Sequence, residues 1–229
     1  LNPITACVCD AVTAIIFVVG SKETRKWHFL KKTVLPFVAN ELFSNIAERD
    51  QQLSSSQYKA QINLAAFEIQ DEIITDLLRP VNRGLSLAVT AEEGVIVQGL
   101  QSEAIMDEMD LRRLLLDACD NRASHTLPPG GSIDTTSAIF EFTVYQSEGV
   151  GIGGTGENGR ECHSRLLVVE VPSTDPLVVG GAVDVRQLQG PTLHKSLLTF
   201  LDVTKKLNTP SRAAIAPYRS SKLTHYLCE

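Results

Sequence analysis

Residues 14–30, AIIFVVGSKETRKWHFL, constrain the fold more than any other stretch. Ala14 to Val19 is short, unbroken and rich in Ile, Val and Phe, which predicts a buried strand. From Trp27 to Asp50, Phe29, Leu30, Val34, Phe37, Val38, Leu42, Phe43 and Ile46 recur at helical spacing, and Pro36 is placed to kink or divide the helix. A strand that runs through a glycine-led polar loop into an amphipathic helix is a building unit of α/β layers. It is also the layout in which backbone amides can cradle a phosphate.

The rest of the chain repeats this mixture. Strands are predicted at Tyr58 to Ile69, Ser137 to Tyr145 and Arg165 to Val171. Glu72 to Leu78 reads as a short helix or second strand, and Leu85 to Val97 as a hairpin turning at Glu93-Gly94. Helices are predicted at Ala104 to Arg122, at Thr192 to Leu207, and in the last residues after APYRSS, with a further helix end near residues 4–12. TLPPGGS (126–132) and SEGVGIGGTGENGRE (147–161) are loops. No internal repeat appears, and 229 residues at 43% hydrophobic suit one domain over residues 1–229.

The net charge of −6 excludes a nucleic-acid binder by composition. The charge is uneven: residues 186–228 hold seven Lys/Arg against the single acid Asp202. A basic patch on an acidic protein points to a local acidic partner. The longest apolar run is too short to span a bilayer, and five scattered cysteines read as reduced thiols rather than a disulfide frame or metal site. The opening Leu1-Asn2-Pro3, without Met, reads as part of a longer protein.

Two segments could in principle bind phosphate. In the pattern GxxxxGK[ST], Gly20 and Lys26 stand at the right separation, but Arg25 takes the second glycine's place and Trp27 the hydroxyl's. An indole cannot ligate Mg²⁺. Glu23 would repel a polyphosphate unless it turned outwards. GIGGTG (151–156) fits GxGxxG, but no helix follows it, as a dinucleotide fingerprint requires. The histidines show no ligand spacing, and no nucleophile elbow is present.

The C-terminal segments carry a resemblance. HKSLLTFLDVTKKL followed by APYRSSKLTHYL is similar to the kinesin motor domain, with its NKSL-type helix and PYR-x-SKLT signature. Pro217, Tyr218, Arg219, Ser221, Lys222, Leu223 and Thr224 match the signature, and Lys195, Ser196 and Leu197 the helix. AFEIQDEIITDLL (66–78), GVIVQGL (94–100), DNRAS (120–124), AIFEFTV (138–144) and RLLVVEV (165–171) resemble further family segments in the family's order. The resemblance implies a P-loop-related α/β fold, with a mixed, mainly parallel central sheet and helices on both faces. The family's first strands and its last strand and helix have no counterpart here.

It also implies a vestigial nucleotide site. The family's GQTGSGKT aligns with residues 20–27, where Gly20 and Lys26 are kept and Trp27 stands last. Its SSRSH aligns with SIDTTS (132–137), without Arg or His. Its DLAGSE aligns with EVPSTD (170–175), so Glu170, Ser173 and Asp175 are altered switch positions and no residue is expected to be catalytic. The expectation is a pseudo-motor with no cofactor, ATP and Mg²⁺ entering only if the chain is a divergent working motor. In the family, the retained C-terminal segments face the microtubule. Lys195, Lys206, Arg219 and Lys222 are therefore the expected tubulin contacts, with Lys195, Thr199, Asp202 and Lys206 on one helix face and Leu197, Leu198, Phe200 and Leu201 anchoring the helix. Tyr218 and Leu223 could equally serve the core, with Arg219 bracing the helix. The implied setting is cytoplasm and cytoskeleton, a ciliary axoneme being one suitable array, with other cytoskeletal or axonemal proteins as partners. An interaction domain for a non-tubulin protein is the remaining alternative.

Overall fold

The computed structural model describes residues 2–53, 58–91, 93–125, 136–148, 160–173, 195–209 and 216–228. The expected loop at 126–132 and residues 149–159 of the loop expected at 147–161 lie outside the described residues. GIGGTG, Asp175 and 192–194 lie outside the described residues, as do 132–135 of the first switch segment.

Eight strands form one sheet in the order β1-β8-β7-β2-β3-β4-β5, with β6 pairing β2. They are β1 Ala14–Val18, β2 Tyr58–Gln70, β3 Ile73–Asp76, β4 Arg83–Thr90, β5 Gly94–Gln98, β6 Ser102–Ile105, β7 Ser137–Glu148 and β8 Arg160–Glu170. The helices are α1 Asn2–Cys9, α2 Lys26–Phe29, α3 Leu35–Leu53, α4 Glu108–His125, α5 Lys195–Leu207 and α6 Lys222–Tyr226.

The sheet is mixed, but it is not mainly parallel: among the described strands only β1 and β8 run parallel. Short reversals join β2 to β3, β3 to β4 and β4 to β5, and such links can connect only antiparallel strands; β2–β6, β2–β7 and β7–β8 are antiparallel as well. The two-residue β2–β3 turn and the β4–β5 hairpin, whose Gly94 has φ 68°, are the clearest cases.

Alternation along the central strands sorts side chains to two faces. Ile62, Leu64 and Ala66 of β2, Phe140, Phe142 and Val144 of β7, and Leu166 and Val168 of β8 pack with α1, α3 and α4. Phe67, Ile69, Ile139, Leu167 and Val169 point the other way, towards Leu197 of α5 and Leu223 and Tyr226 of α6. Helices therefore cover both faces, as expected. Both faces of β7 are covered: Ile139 is as buried as Phe140, because α5 and α6 pack on the second face.

Several boundaries differ from the sequence reading. β1 lies at the end of the strand order and is only partly covered, so it is not a buried strand, and Phe17 and Val19 remain exposed. Residues 102–105 form β6 before α4 begins, because Ile105 pairs with Ile62 in the sheet. Pro36 does not divide the helix. A π-turn at Leu30–Val34 precedes it, and the Leu35 amide donates to the Leu30 carbonyl five residues back. That wider turn accommodates a proline ring that supplies no N–H to the ladder.

Candidate functional site

β1 delivers Gly20 to a tight loop, Lys22–Thr24, before α2 starts at Lys26. The Thr24 hydroxyl and amide donate to the Ser21 carbonyl at 2.6 and 3.2 Å. A Cβ on Gly20 would come within 2.6 Å of the Thr24 hydroxyl, so this turn requires glycine there. Arg25 takes a left-handed backbone, φ 49°, ψ 41°, at the place where a phosphate loop has its second glycine. The loop thus keeps the bend while bearing a side chain that disfavours it, at a cost of about 1–2 kcal/mol.

The side chains complete the site differently from a phosphate cradle. Lys26 is buried, and its Nζ lies 3.1 Å from Glu170 Oε1 at the end of β8. Glu170 Oε2 accepts from Arg122 Nη1, which comes from α4. Arg122 Nε donates to Glu68 Oε1 at 3.1 Å, and Nη2 to the Thr136 hydroxyl at 3.0 Å. Thr136 in turn donates to Glu68. The side chains of Lys26, Glu170, Arg122 and Glu68 are 2%, 0%, 0% and 1% exposed. Among the described residues, two cations and two carboxylates therefore neutralise one another out of contact with water.

Trp27 closes one side of this cluster. Its ring lies 4.3 Å below the Arg122 guanidinium carbon and stacks on Phe140 at 6.4 Å and 24°. Arg25 is exposed, because its left-handed backbone precedes the helix and leaves it outside the packed layer. Glu23 is exposed too, so its carboxylate faces outward. Beside the loop a cleft of about 390 Å³ is lined by Ile16, Phe17, Val18, Val19, Phe29 and Val34, with Thr24 and Lys26 as its polar members. Ser173, the altered switch glycine, is buried at the end of β8, next to Val171, whose amide donates to the Val18 carbonyl.

A P-loop-related fold implies a nucleotide at this place. The lysine that would meet phosphate is already matched to a carboxylate, and Trp27 offers no oxygen for a metal. Glu68 and Glu170 add two buried carboxylates to the same cluster, and Glu68 Oε2 accepts no hydrogen bond among the described residues. The residues present do not fit a Mg²⁺-bound triphosphate.

The second candidate region is the α5–α6 face. α5 buries Ser196, Leu197, Thr199 and Val203, and Phe200 meets Phe17 at 5.1 Å. Leu201 is exposed, so it does not anchor the helix, and Thr199 is buried, so it does not share an outward face with the lysines. A 100° step per residue puts Leu201, Thr204, Lys205 and Asn208 outward instead. Lys195 is exposed at the start of α5, and Lys206 pairs with Asp202 at 3.0 Å. Arg219 is exposed, whereas Lys222 turns inward and donates to the Leu85 carbonyl at 3.0 Å. Ser221 caps α6, its hydroxyl accepting from the Thr224 amide at 3.2 Å. Leu223 is fully buried and Tyr218 half-buried, so part of the signature serves the core.

Arg122, Glu68 and Thr136 were not among the residues singled out from the sequence. Their signal was present: Glu68 is a lone charge inside the apolar run NLAAFEIQ, and a charge at a core position needs a partner.

A family model described as the kinesin motor domain matches residues 2–229. The chain belongs to the kinesin motor-domain family. Among related kinesins, the rice Kinesin-like protein KIN-7A is 29% identical over 94% of this chain and 22% of its own length. Kinesin-like protein 3 of Schizosaccharomyces pombe is 27% identical over 88% and 34%. Mouse Kinesin-like protein KIF18A is 25% identical over 99% and 25%. The chain thus spans about a fifth to a third of these curated relatives. A solved fast kinesin superposes with a TM-score of 0.83 at 22% identity, covering all of this chain and 63% of the other. The motor and motor homology domain of Kar3Vik1 superposes at 0.75 and 20% identity, over 98% and 56%. The kinesin fold is thereby established for this chain.

Proposed function

We propose that this kinesin-family domain binds microtubules as a static, structural module and does not hydrolyse ATP. The observation that carries the reading is the buried network in which Glu170, itself held by Arg122, pairs with Lys26, with Trp27 packed alongside. Phosphoryl transfer depends on ångström-scale placement of metal and donors, and here the lysine is committed and the metal-binding hydroxyl absent. Gly20, Lys26 and Trp27 are on this reading a vestigial phosphate loop. Glu170 and Ser173 are remnants of a switch, as is Asp175 in the sequence. No catalytic residue and no cofactor are assigned.

Microtubule contact is proposed for the outward side of α5 and the turn before α6. Lys195 and Arg219 supply exposed positive charge there, joined by Lys205, and Lys206 contributes at the edge. Lys222 supports the face from beneath through its bond to Leu85. Attraction of such charge to an acidic lattice weakens as salt rises. The proposed location is the cytoskeleton, in a stable array such as an axoneme, where a static binder and its axonemal neighbours would suit.

A second reading, a divergent working motor, is favoured by one observation: Arg25 preserves the left-handed bend of the phosphate loop. A paired experiment separates the readings. Microtubule co-sedimentation at two salt concentrations is expected to show binding that Lys195→Glu/Lys205→Glu/Arg219→Glu abolishes. Fluorescent ATP with Mg²⁺ is expected to show no binding at micromolar concentrations, and ATP turnover no stimulation by microtubules. Mg²⁺-dependent nucleotide binding would establish the motor instead. Absence of co-sedimentation together with a stable non-tubulin complex would establish an interaction domain.

A further inference from the structure

Between β2 and β3 the chain reverses through Asp71 and Glu72, both left-handed, with φ 50° and 62°. This is the backbone of a two-residue primed hairpin, which favours Asn or Asp followed by glycine. A glutamate at the second position is strained, and its side chain supplies a reason for it to be there. The carboxylate reaches two helices far away in sequence. Oε1 accepts from the Ser196 hydroxyl at 2.9 Å, in the first turn of α5. Oε2 accepts from the Lys222 amide at 2.8 Å, the first residue of α6. Lys195 Nζ stands 3.9 Å from the same oxygen. The Lys222 amide is one of the donors a helix start cannot satisfy internally, so the carboxylate supplies both a bond and favourable charge there.

We propose that Glu72 is a positioning residue that clamps α5 to α6 and thereby sets the spacing of Lys195, Lys205 and Arg219. Its consequence for affinity rests on the reading of that face as the microtubule contact. The hairpin is held by twelve residues of β2 pairing with β7, so its tip is a rigid post. Lys222, bonded to Leu85 of β4 through its ammonium, fixes the same helix start from a second strand. The clamp therefore transmits the sheet's rigidity to two helices that otherwise meet it mainly through Leu197, Phe200, Leu223 and Tyr226.

Glu72→Gly tests this, because it removes the carboxylate and relaxes the left-handed turn together. In the free protein, the Lys222 amide is expected to exchange at least tenfold faster, while amides in the β2–β7 pairing keep their protection. The thermal midpoint is expected to hold, and microtubule affinity to fall about tenfold. Glu72→Gln, which keeps an acceptor oxygen, should retain most of both protection and affinity. A midpoint that falls in step with affinity would mean a role in stability alone and would overturn the proposal. Unchanged exchange at Lys222 in the glycine variant would overturn it as well. If the unaltered domain does not sediment with microtubules, the reading of the face fails, and the exchange comparison decides the clamp by itself.

Discussion

Replacing Arg122 with methionine removes the guanidinium that holds two buried carboxylates, while roughly keeping the side chain's length. Lys26 and Arg122 balance Glu68 and Glu170 in a cluster whose side chains are at most 2% exposed. Without Arg122 one negative charge is left uncompensated. Breaking a buried pair from one side costs about 3–5 kcal/mol. Loss of the contact with the Trp27 ring overlaps with that figure rather than adding to it in full. Taking about 4 kcal/mol, and roughly 2–4 °C per kcal/mol for a domain of this size, the midpoint should fall by about 8–16 °C. The chain's only tryptophan lies 4.3 Å from the group removed, so its emission reports unfolding at the site itself. Urea titrations of the wild type, Arg122→Met and Arg122→Met/Glu68→Gln are the assay. The double variant leaves Lys26 and Glu170 as a neutral pair and should recover at least half of the loss. A single variant within about 1 kcal/mol of wild type, or a double variant no better than the single, would refute a charge-balanced network.

Tyr226 and Cys119 give two further checks. Burial first, then the Glu141 carboxylate that accepts its hydroxyl, hold Tyr226 well above the usual tyrosine range. The raised folded value means that this residue's contribution is complete below about pH 10 and is lost as pH rises further, at roughly 1.4 kcal/mol per pH unit. Urea midpoints measured from pH 9 to 11 should therefore fall more steeply for wild type than for Tyr226→Phe, and parallel slopes would contradict this. Burial pushes the Cys119 thiol up to about 11, whereas Cys7 is exposed. A thiol reagent at pH 8 should label Cys7 readily and Cys119 only in denaturant, since the thiolate is the reactive form. Labelling of native Cys119 at the rate of Cys7 would show that α4 does not pack as described.

Local pattern was enough to place most elements. The apolar run at 14–18, the helical spacing after Trp27 and the alternation in 137–148 are properties of neighbouring residues, and short-range geometry makes them legible. The mismatches in residues 20–27 were equally local: Arg25 and Trp27 are poor phosphate-loop residues whatever surrounds them. Strand direction was less legible, because it depends on which strands become neighbours. The short reversals at Asp71-Glu72 and before Gly94 decide it for β2–β3 and β4–β5, whereas the antiparallel pair β2–β7 and the parallel pair β1–β8 join segments far apart in the chain. In the same way, Leu201 and Thr199 exchange their expected places because the inner face of α5 is set by Phe17 and the second face of the sheet, not by the helix alone.

What occupies Lys26 could not be read from the chain as a string. Glu170 lies 144 residues away from it, and Arg122 is 48 from Glu170 and 54 from Glu68. Each is an ordinary charged residue until β8, α4 and β2 converge. Residue type and period specified a layered α/β domain and a loop that departs from the phosphate-binding pattern, and the quoted motifs carried the resemblance to kinesins. Which charges neutralise one another is a matter of distance through space in a site closed to water. There a few ångströms separate a stabilising pair from an isolated buried ion.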